Sequence, residues 1–211
     1  MKLAVRAQHV VGPRERVVRL LVFCPGKTRS IDYAECRACP RVSTVPARPG
    51  DPGACIECVP PKTARRIPDF IANAGRDGPV GSLAGPFALC LDAALPMDRV
   101  RVAFREAPAA ELPVVDELGH VLGIVRREDF QRARRNGDPA ETFHRPQQAV
   151  DRLDRATTLS ESSSVQQAVE ALVSHHSRNL VLLRDDATLA GVLTDLDLLR
   201  WVSQERRLSA R

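Results

Sequence analysis

Residues 191–198, with the sequence GVLTDLDL, repeat the pattern of residues 123–130, GIVRREDF, at an offset of 68 positions. When the comparison is extended outward at the same offset, residues 88–133 fall on residues 156–201 without a gap. A constant offset over a whole segment indicates two copies of one supersecondary unit, which bury their apolar faces against each other. A cleft between two such halves is a natural place for a ligand.

Each copy predicts the same order of secondary structure. A short apolar strand comes first, and apolar residues at helical spacing follow it at 97–104 and 165–173. Two β-rich runs come next, separated by turn residues, and a closing helix starts near Arg127 or Asp195. The predicted unit is β-α-β-β-α. One copy is too small to hold a robust core alone, so we expect the two copies to pair.

These residues resemble a known family. The sequence LPVVD at 112–116, followed by GIVRREDF, resembles a cystathionine-β-synthase (CBS) domain, and GVLTDLDL fits that pattern more closely. Two copies in tandem resemble the Bateman module. The resemblance implies an α+β fold in which two β-α-β-β-α CBS repeats, residues 80–140 and 141–206, pack as a pseudo-symmetric pair. It also implies a regulatory module that binds an adenine nucleotide (AMP, ADP or ATP) between the halves and forms a homodimer.

The resemblance also implies nucleotide-binding residues. Thr194 and Asp197 lie at the positions where the family places a hydroxyl and a carboxylate that contact phosphate or ribose. Arg178 lies where nucleotide-binding CBS domains often place a basic residue. The first copy keeps Asp129, but Arg126 replaces the hydroxyl residue, although it could still serve as a phosphate partner. We therefore expect one competent site, in the second copy.

The same spacing has a purely structural interpretation. Thr-x-x-Asp at the start of a helix resembles a capping box, in which the two side chains satisfy free backbone N–H groups. A helix N-terminus also presents such N–H groups to a phosphate. The two interpretations use one geometry and are compatible.

Four cysteines before the repeats have the spacing of a metal site. Cys36, Cys39, Cys55 and Cys58 form a C-x2-C-x15-C-x2-C pattern, which is typical of zinc. Two tight C-x-x-C turns would complete the tetrahedral sulfur shell of a structural zinc ion (Zn²⁺). We therefore expect residues 1–66 to form a small zinc-ribbon-like domain, joined to the repeats by a linker at 67–79.

Other roles for the cysteines stay open at this point. The four thiols could be free, or could hold an iron–sulfur cluster or act as a redox dithiol. Cys24 follows an apolar run and is either a buried thiol or an alternative metal ligand. Cys90 falls on a predicted core strand, where a structural role is expected.

Charge and composition limit the kinds of partner that this protein could bind. Residues 1–66 carry 13 Lys and Arg against 5 Asp and Glu, whereas the remainder carries 18 against 21. A basic surface can contact phosphates, but only Phe23 and Tyr33 could stack on bases there, so a solvated face or a protein-docking face is favoured over nucleic acid. No run approaches the length of a membrane span, and no secretory signal is evident. We expect a cytoplasmic protein with reduced cysteines.

The favoured function is regulatory and non-catalytic, because no nucleophile–base, paired-carboxylate or phosphate-loop arrangement stands out. In this hypothesis the CBS pair senses an adenine nucleotide, and the zinc-binding head docks an unknown protein partner. The alternative is a ligand-free CBS dimerisation scaffold or adaptor, whose basic zinc head contacts protein or nucleic acid. An enzyme that uses a C-x-x-C dithiol is a third hypothesis.

For the homodimer, we expect helices 97–104 and 165–173 each to expose an apolar face.

Overall fold

The computed structural model describes residues 2–51, 53–59, 78–85, 87–106, 111–128 and 157–209. The region before the repeats is rich in strands. Its elements are β1 (Lys2–Val11), β2 (Arg16–Cys24), β3 (Arg29–Asp32), α1 (Tyr33–Arg37), β4 (Val42–Thr44) and β5 (Cys55–Cys58).

Both repeats follow the predicted order. A 3₁₀ turn at Val80–Ser82 precedes the first repeat, which contains β6 (Phe87–Asp92), α2 (Met97–Glu106), β7 (Glu111–Val115) and β8 (Val121–Arg126). The second contains β9 (Thr158–Ser160), α3 (Val165–Ser174), β10 (Asn179–Leu183), β11 (Leu189–Thr194) and α4 (Asp195–Ser209). Helices α2 and α3, strands β7 and β10, and strands β8 and β11 begin and end 68 positions apart. The predicted closing helix of the first repeat begins at Arg127, and its continuation lies outside the described residues.

The correspondence between the repeats extends to their irregularities. The register shifts between Val114 and Val115 in one hairpin and between Leu182 and Leu183 in the other, which are equivalent steps. The equivalent turn residues Gly119 and Ala187 have positive φ angles of 93° and 61°. That region favours glycine, so Ala187 carries strain that Gly119 avoids. The duplicated backbone has kept its shape where its sequence changed.

The two repeats meet through these turns. His120 and Thr188 form an isolated antiparallel bridge. On either side of it, the N–H of Val121 donates to the carbonyl of Ala187 over 3.3 Å, and the N–H of Leu189 donates to that of Gly119 over 3.0 Å. The 68-residue offset converts each of these bonds into the other, because Val121 corresponds to Leu189 and Gly119 corresponds to Ala187. A pseudo-two-fold axis therefore passes between the hairpins. The expected pseudo-symmetric pairing is confirmed.

The sheets of the two repeats differ in size. Strands β9, β10 and β11 form a three-stranded sheet, with β9 at its edge. In the first repeat the sheet continues into the N-terminal region with the order β3-β2-β1-β6-β7-β8, and β4 and β5 attach through β1. Strand β1 runs parallel to β6, with Ala7 opposite Phe87 and Val11 opposite Leu91. The N-terminal strands therefore extend the sheet of the first repeat, and β6 is a central strand.

Strand β1 contributes to two cores, because successive side chains of a strand point to opposite faces. On one face Val10 packs between the two sheets with Cys90, Val115, Ile124, Val181 and Leu189. On the other face Leu3 and Val5 pack with residues of β2, β3, α1 and β5: Val22, Ile31, Cys36, Ile56 and Cys58. This single strand therefore connects the cysteine-rich region to the boundary between the repeats.

The expectation that α2 exposes an apolar face is wrong. Val100, Ala103 and Phe104 are buried in the core of the first repeat, because α2 packs directly on its own sheet. Helix α3 differs, since it buries Val165, Ala168 and Leu172 but leaves Val169 and Val173 exposed. None of the helices in the described ranges has the length and apolar character needed to cross a membrane.

Candidate functional site

Thr194 and Asp197 form a reciprocal pair at the start of α4. The Thr194 hydroxyl and the Thr194 N–H both donate to Asp197 Oδ2, over 2.7 and 3.0 Å. The Asp197 N–H donates in return to Thr194 Oγ1 over 3.2 Å. This is the arrangement of a capping box, so the structural interpretation is confirmed. The same bonds hold the Asp197 carboxylate in one orientation.

The second oxygen of Asp197 faces away from this pair. Asp197 Oδ1 lies 3.5 Å from Nη1 of Arg200, and the Asp197 side chain is 12% exposed. Arg178 is exposed at the same helix start, where its carbonyl accepts from the Asp195 N–H over 3.0 Å. The structure therefore brings Thr194, Asp197 and Arg178 together. They combine an oriented acceptor for hydroxyl groups, a helix N-terminus that favours anions and an exposed cation.

The equivalent place in the first repeat is organised differently. Nε of Arg126 donates to Glu111 Oε1 over 3.0 Å, and both side chains are largely buried. Nδ2 of Asn179, from the second repeat, donates to Glu111 Oε2 over 3.4 Å. Arg126 is thus engaged in an ion pair that links the repeats. Asp129 lies outside the described residues.

Arg6, which the sequence analysis missed, is buried within electrostatic reach of Asp197. Only 5% of Arg6 is exposed, and its Nη1 has no hydrogen-bond partner among the described residues. Burial lowers the pKa of Arg6 to about 10, and the nearby carboxylates of Glu161 and Asp197 oppose that shift. The guanidinium therefore remains charged at neutral pH. Its sequence signal was an arginine that directly follows the apolar residues 3–5 of β1.

Glu161 accounts for part of the charge around Arg6 and connects the second repeat to β3. It is 2% exposed, and its two oxygens accept from the N–H of Ser30 over 2.8 Å and from the Ser30 hydroxyl over 2.5 Å. Each of its oxygens therefore accepts one hydrogen bond from Ser30. The charge of Glu161 opposes the effect of burial on Arg6, although Nη1 of Arg6 has no hydrogen-bond partner among the described residues.

The cysteines do not all face the same way. Cys36 and Cys58 are buried in one cluster, and Cys24 packs against it. The N–H of Cys39 donates to the carbonyl of Cys36 over 3.1 Å, so the first C-x-x-C pair forms the expected turn. The second pair lies in strand β5, where alternation places Cys58 on the buried face with Ile56 and places Cys55 on the opposite face. Cys55 instead donates its thiol to the carbonyl of Gly53 over 3.3 Å.

Burial governs the chemistry of this cluster. It raises the pKa of Cys36 to about 11, with smaller contributions from Cys24, Cys58, Cys39 and Glu35. Burial likewise raises the pKa of Cys58. Within the described ranges, no three His, Cys, Asp or Glu side chains converge closely enough to hold a metal ion. The donor chemistry fits zinc, whereas the present spacing of the donor atoms does not form a closed site.

Comparison with known families identifies the repeats. The family described as "CBS domain" matches residues 80–136 and again residues 153–204, which together make up just over half of the chain. The chain therefore belongs to the CBS-domain family, with two domains in tandem. A search of curated proteins gave no match.

Solved structures agree with this fold. The structure of CBSX2 in complex with AMP has a TM-score of 0.53 and 19% identity, over 60% of this chain and 97% of that one. The CBS domain of a bacterial CNNM/CorC family Mg²⁺ transporter in complex with ATP has a TM-score of 0.51 and 12% identity, over 66% and 99%. At this identity the likeness concerns the fold alone.

Proposed function

We propose that this protein is a non-catalytic regulator whose CBS pair binds an adenine nucleotide at the start of α4 in the second repeat. The observation that carries the proposal is the oriented Asp197 carboxylate, whose Oδ2 is held by Thr194 while Oδ1 faces away from the capping box. Related CBS structures contain AMP and ATP, which supports the same class of ligand here. In this site Asp197 accepts from ribose hydroxyls, the helix N-terminus faces the phosphate, and Arg178 adds positive charge.

Thermal unfolding of the full chain with AMP, ADP, ATP or S-adenosylmethionine tests the proposal. A ligand at a hundredfold excess over its Kd stabilises the folded state by about 2.7 kcal/mol. Asp197→Asn should remove this stabilisation by weakening acceptance from ribose. Asp195→Asn is the matched control, because Asp195 is exposed at the same helix start. If none of the four compounds raises the melting temperature at millimolar concentration, the module is the ligand-free scaffold of the alternative hypothesis.

We further propose that the cysteine-rich region binds one zinc ion and docks a protein partner. Cys36, Cys39 and Cys58 supply three thiolates, and the fourth comes from Cys24 or Cys55. Packing favours Cys24, since it adjoins the cluster that contains Cys36 and Cys58, whereas Cys55 lies on the other face of β5. Closing such a site requires the thiols to lose their protons and move together.

Metal analysis of single-cysteine variants separates the two ligand sets. Protein prepared without chelator should contain one zinc ion per chain by elemental analysis. Cys24→Ser should lower the zinc content, and Cys55→Ser should leave it unchanged. The opposite result would restore the set Cys36, Cys39, Cys55 and Cys58, and absence of metal from the wild-type chain would refute the zinc proposal.

We also propose that the protein is a cytoplasmic homodimer in which a second copy covers the exposed apolar residues of the second repeat. Five such residues lie on α3 and α4: Val169, Val173, Leu196, Leu199 and Val202. Clusters of exposed apolar residues mark interfaces, and two-fold symmetry is the commonest closed arrangement. Light scattering should give a dimeric mass. Leu199→Glu should give a monomer, whereas Leu118→Glu, on the exposed turn of the first repeat, should not. A monomeric wild-type chain at high concentration would contradict this proposal.

A further inference from the structure

Among the described residues, Nη1 of the buried Arg6 has no hydrogen-bond acceptor. A buried guanidinium that is not hydrogen-bonded is costly, because it has left water without replacing its hydrogen bonds. Arg6 is 5% exposed, and its one close aromatic neighbour, the ring of Phe23 at 6.0 Å, does not accept a directed hydrogen bond of normal strength. Nη1 therefore remains available for a further acceptor.

The two nearby carboxylates do not fill this role. Glu161 directs both of its oxygens at Ser30. Asp197 directs Oδ2 at Thr194, and its Oδ1 is 3.5 Å from Arg200. Their charges act on Arg6 through space, while their acceptor oxygens are directed at other donors. A third anionic group, with oxygens that a guanidinium can engage, would complete the arrangement.

The face of β1 that carries Arg6 contacts the strand that leads into α4, because Gln8, two residues further along, donates its Nε2 to the Leu189 carbonyl over 2.9 Å. Arg6 itself lies within electrostatic reach of Asp197 in the first turn of α4. Helix α4 is 15 residues long, and its first turn contains the carboxylates of Asp195 and Asp197, so a bound anion there needs cations close by. Arg178 and Arg200 are exposed there, so water screens their charges. Arg6 is buried, so its charge is screened less and its side chain is already ordered. Among these three cations it is the one best placed to bind an anion tightly.

We propose that Arg6 binds the phosphate of the nucleotide seated at the start of α4, so that the N-terminal strand completes the ligand site of the second repeat. This inference rests on the proposed nucleotide function and deepens it. In this arrangement Arg6 of β1, which lies outside both CBS domains, binds the phosphate, and Asp197 binds the ribose. Binding would thereby connect the ligand to the strand whose other face packs on the cysteine-rich cluster.

Calorimetric titration of the full chain with AMP and with adenosine tests the inference, because adenosine keeps the ribose and lacks the phosphate. Arg6→Met should weaken AMP binding by about tenfold or more and change adenosine binding by less than about twofold. Arg6→Lys keeps the charge without the two-pronged geometry and should fall between wild type and Arg6→Met. Arg19→Met is the matched control, because Arg19 lies on the neighbouring strand β2 and donates to the carbonyls of Glu117 and Leu118.

The outcomes separate this inference from the proposed function. If wild type binds both compounds and the two Arg6 variants bind AMP as tightly as wild type, Arg6 serves only as a charge partner for Glu161 and the inference fails alone. Equal losses of AMP and adenosine affinity in Arg6→Lys, which is the less disruptive variant, would also overturn it. If wild type binds neither compound, the nucleotide function fails and the inference fails with it.

Discussion

The two CBS repeats share one backbone plan but occupy different surroundings. In the first repeat, β6 is flanked by β1 and β7 and lies in the middle of the larger sheet. In the second repeat, the equivalent strand β9 pairs with β10 alone among the described strands. The duplicated unit keeps its internal geometry, while the sheet of the first repeat is extended by the N-terminal strands.

The two repeats also differ at the proposed ligand site. Thr194 in the second repeat corresponds to Arg126 in the first, whose side chain is ion-paired with Glu111. Glu111 in turn accepts from Nδ2 of Asn179, which connects this position to the second repeat. In the second repeat Thr194 bonds Asp197, and the N-terminal region brings Arg6 within electrostatic reach of that carboxylate.

The largest effect should come from breaking the contact between the N-terminal sheet and the second repeat. Glu161→Gln removes one of the two carboxylates whose charges act on the buried Arg6, and it should lower the free energy of unfolding by about 3 kcal/mol in urea denaturation. Glu170→Gln, on the exposed face of α3, should change it by less than about 0.5 kcal/mol. The double variant Arg6→Met/Glu161→Gln should recover part of the loss. Equal stability of the two Glu variants would show that the N-terminal sheet and the second repeat are not energetically connected here.

Truncating equivalent leucines should cost more stability in the central strand β6 than in the edge strand β9. Leu91 is fully buried in β6, so Leu91→Ala should cost about 3 kcal/mol. Leu159 is only partly buried in β9, so Leu159→Ala should cost about 1 kcal/mol. Equilibrium denaturation of both variants gives the difference directly. Costs that agree within error would mean that the added strands do not bury β6 more deeply than β9.

Exchanging the turn residues should have effects of opposite sign. Gly119→Ala places a Cβ at a positive φ and within 1.9 Å of Arg19 Nη1, so it should destabilise the chain by about 1–2 kcal/mol. Ala187→Gly relieves the same strain and should stabilise it by about 0.5 kcal/mol. Both changes can be followed by urea midpoints. Destabilisation by Ala187→Gly would indicate that the alanine methyl contributes packing that outweighs its backbone strain.

A small loss of stability should come from the capping box itself. Thr194→Ala removes the hydroxyl that accepts from the Asp197 N–H, and it should cost about 1 kcal/mol without any ligand. Thr194→Ser keeps the hydroxyl and should stay close to wild type. Thermal unfolding of the two variants without nucleotide measures the structural role separately from binding. A loss in the serine variant as large as in alanine would assign the effect to the threonine methyl group.

Sequence alone determined the duplication, the order of elements and three of the residues at the candidate site. These features are local or periodic, so the 68-residue offset predicts equivalent bounds, and Thr194-x-x-Asp197 is close enough in sequence to specify its own capping bonds. The spacing of Cys36 and Cys39 likewise predicted their turn.

Only the tertiary structure decided which strand of the repeats the N-terminal region pairs with, and which of its side chains lie near the second repeat. The parallel pairing of β1 with β6 joins residues about eighty positions apart, and a parallel pair has no short turn that would reveal it in sequence. The face on which each side chain lies depends on strand register, because a shift of one residue moves every side chain of the strand to the opposite face of the sheet. For that reason Cys55 and Cys58 separated despite their spacing, while Arg6 came to lie within electrostatic reach of Asp197.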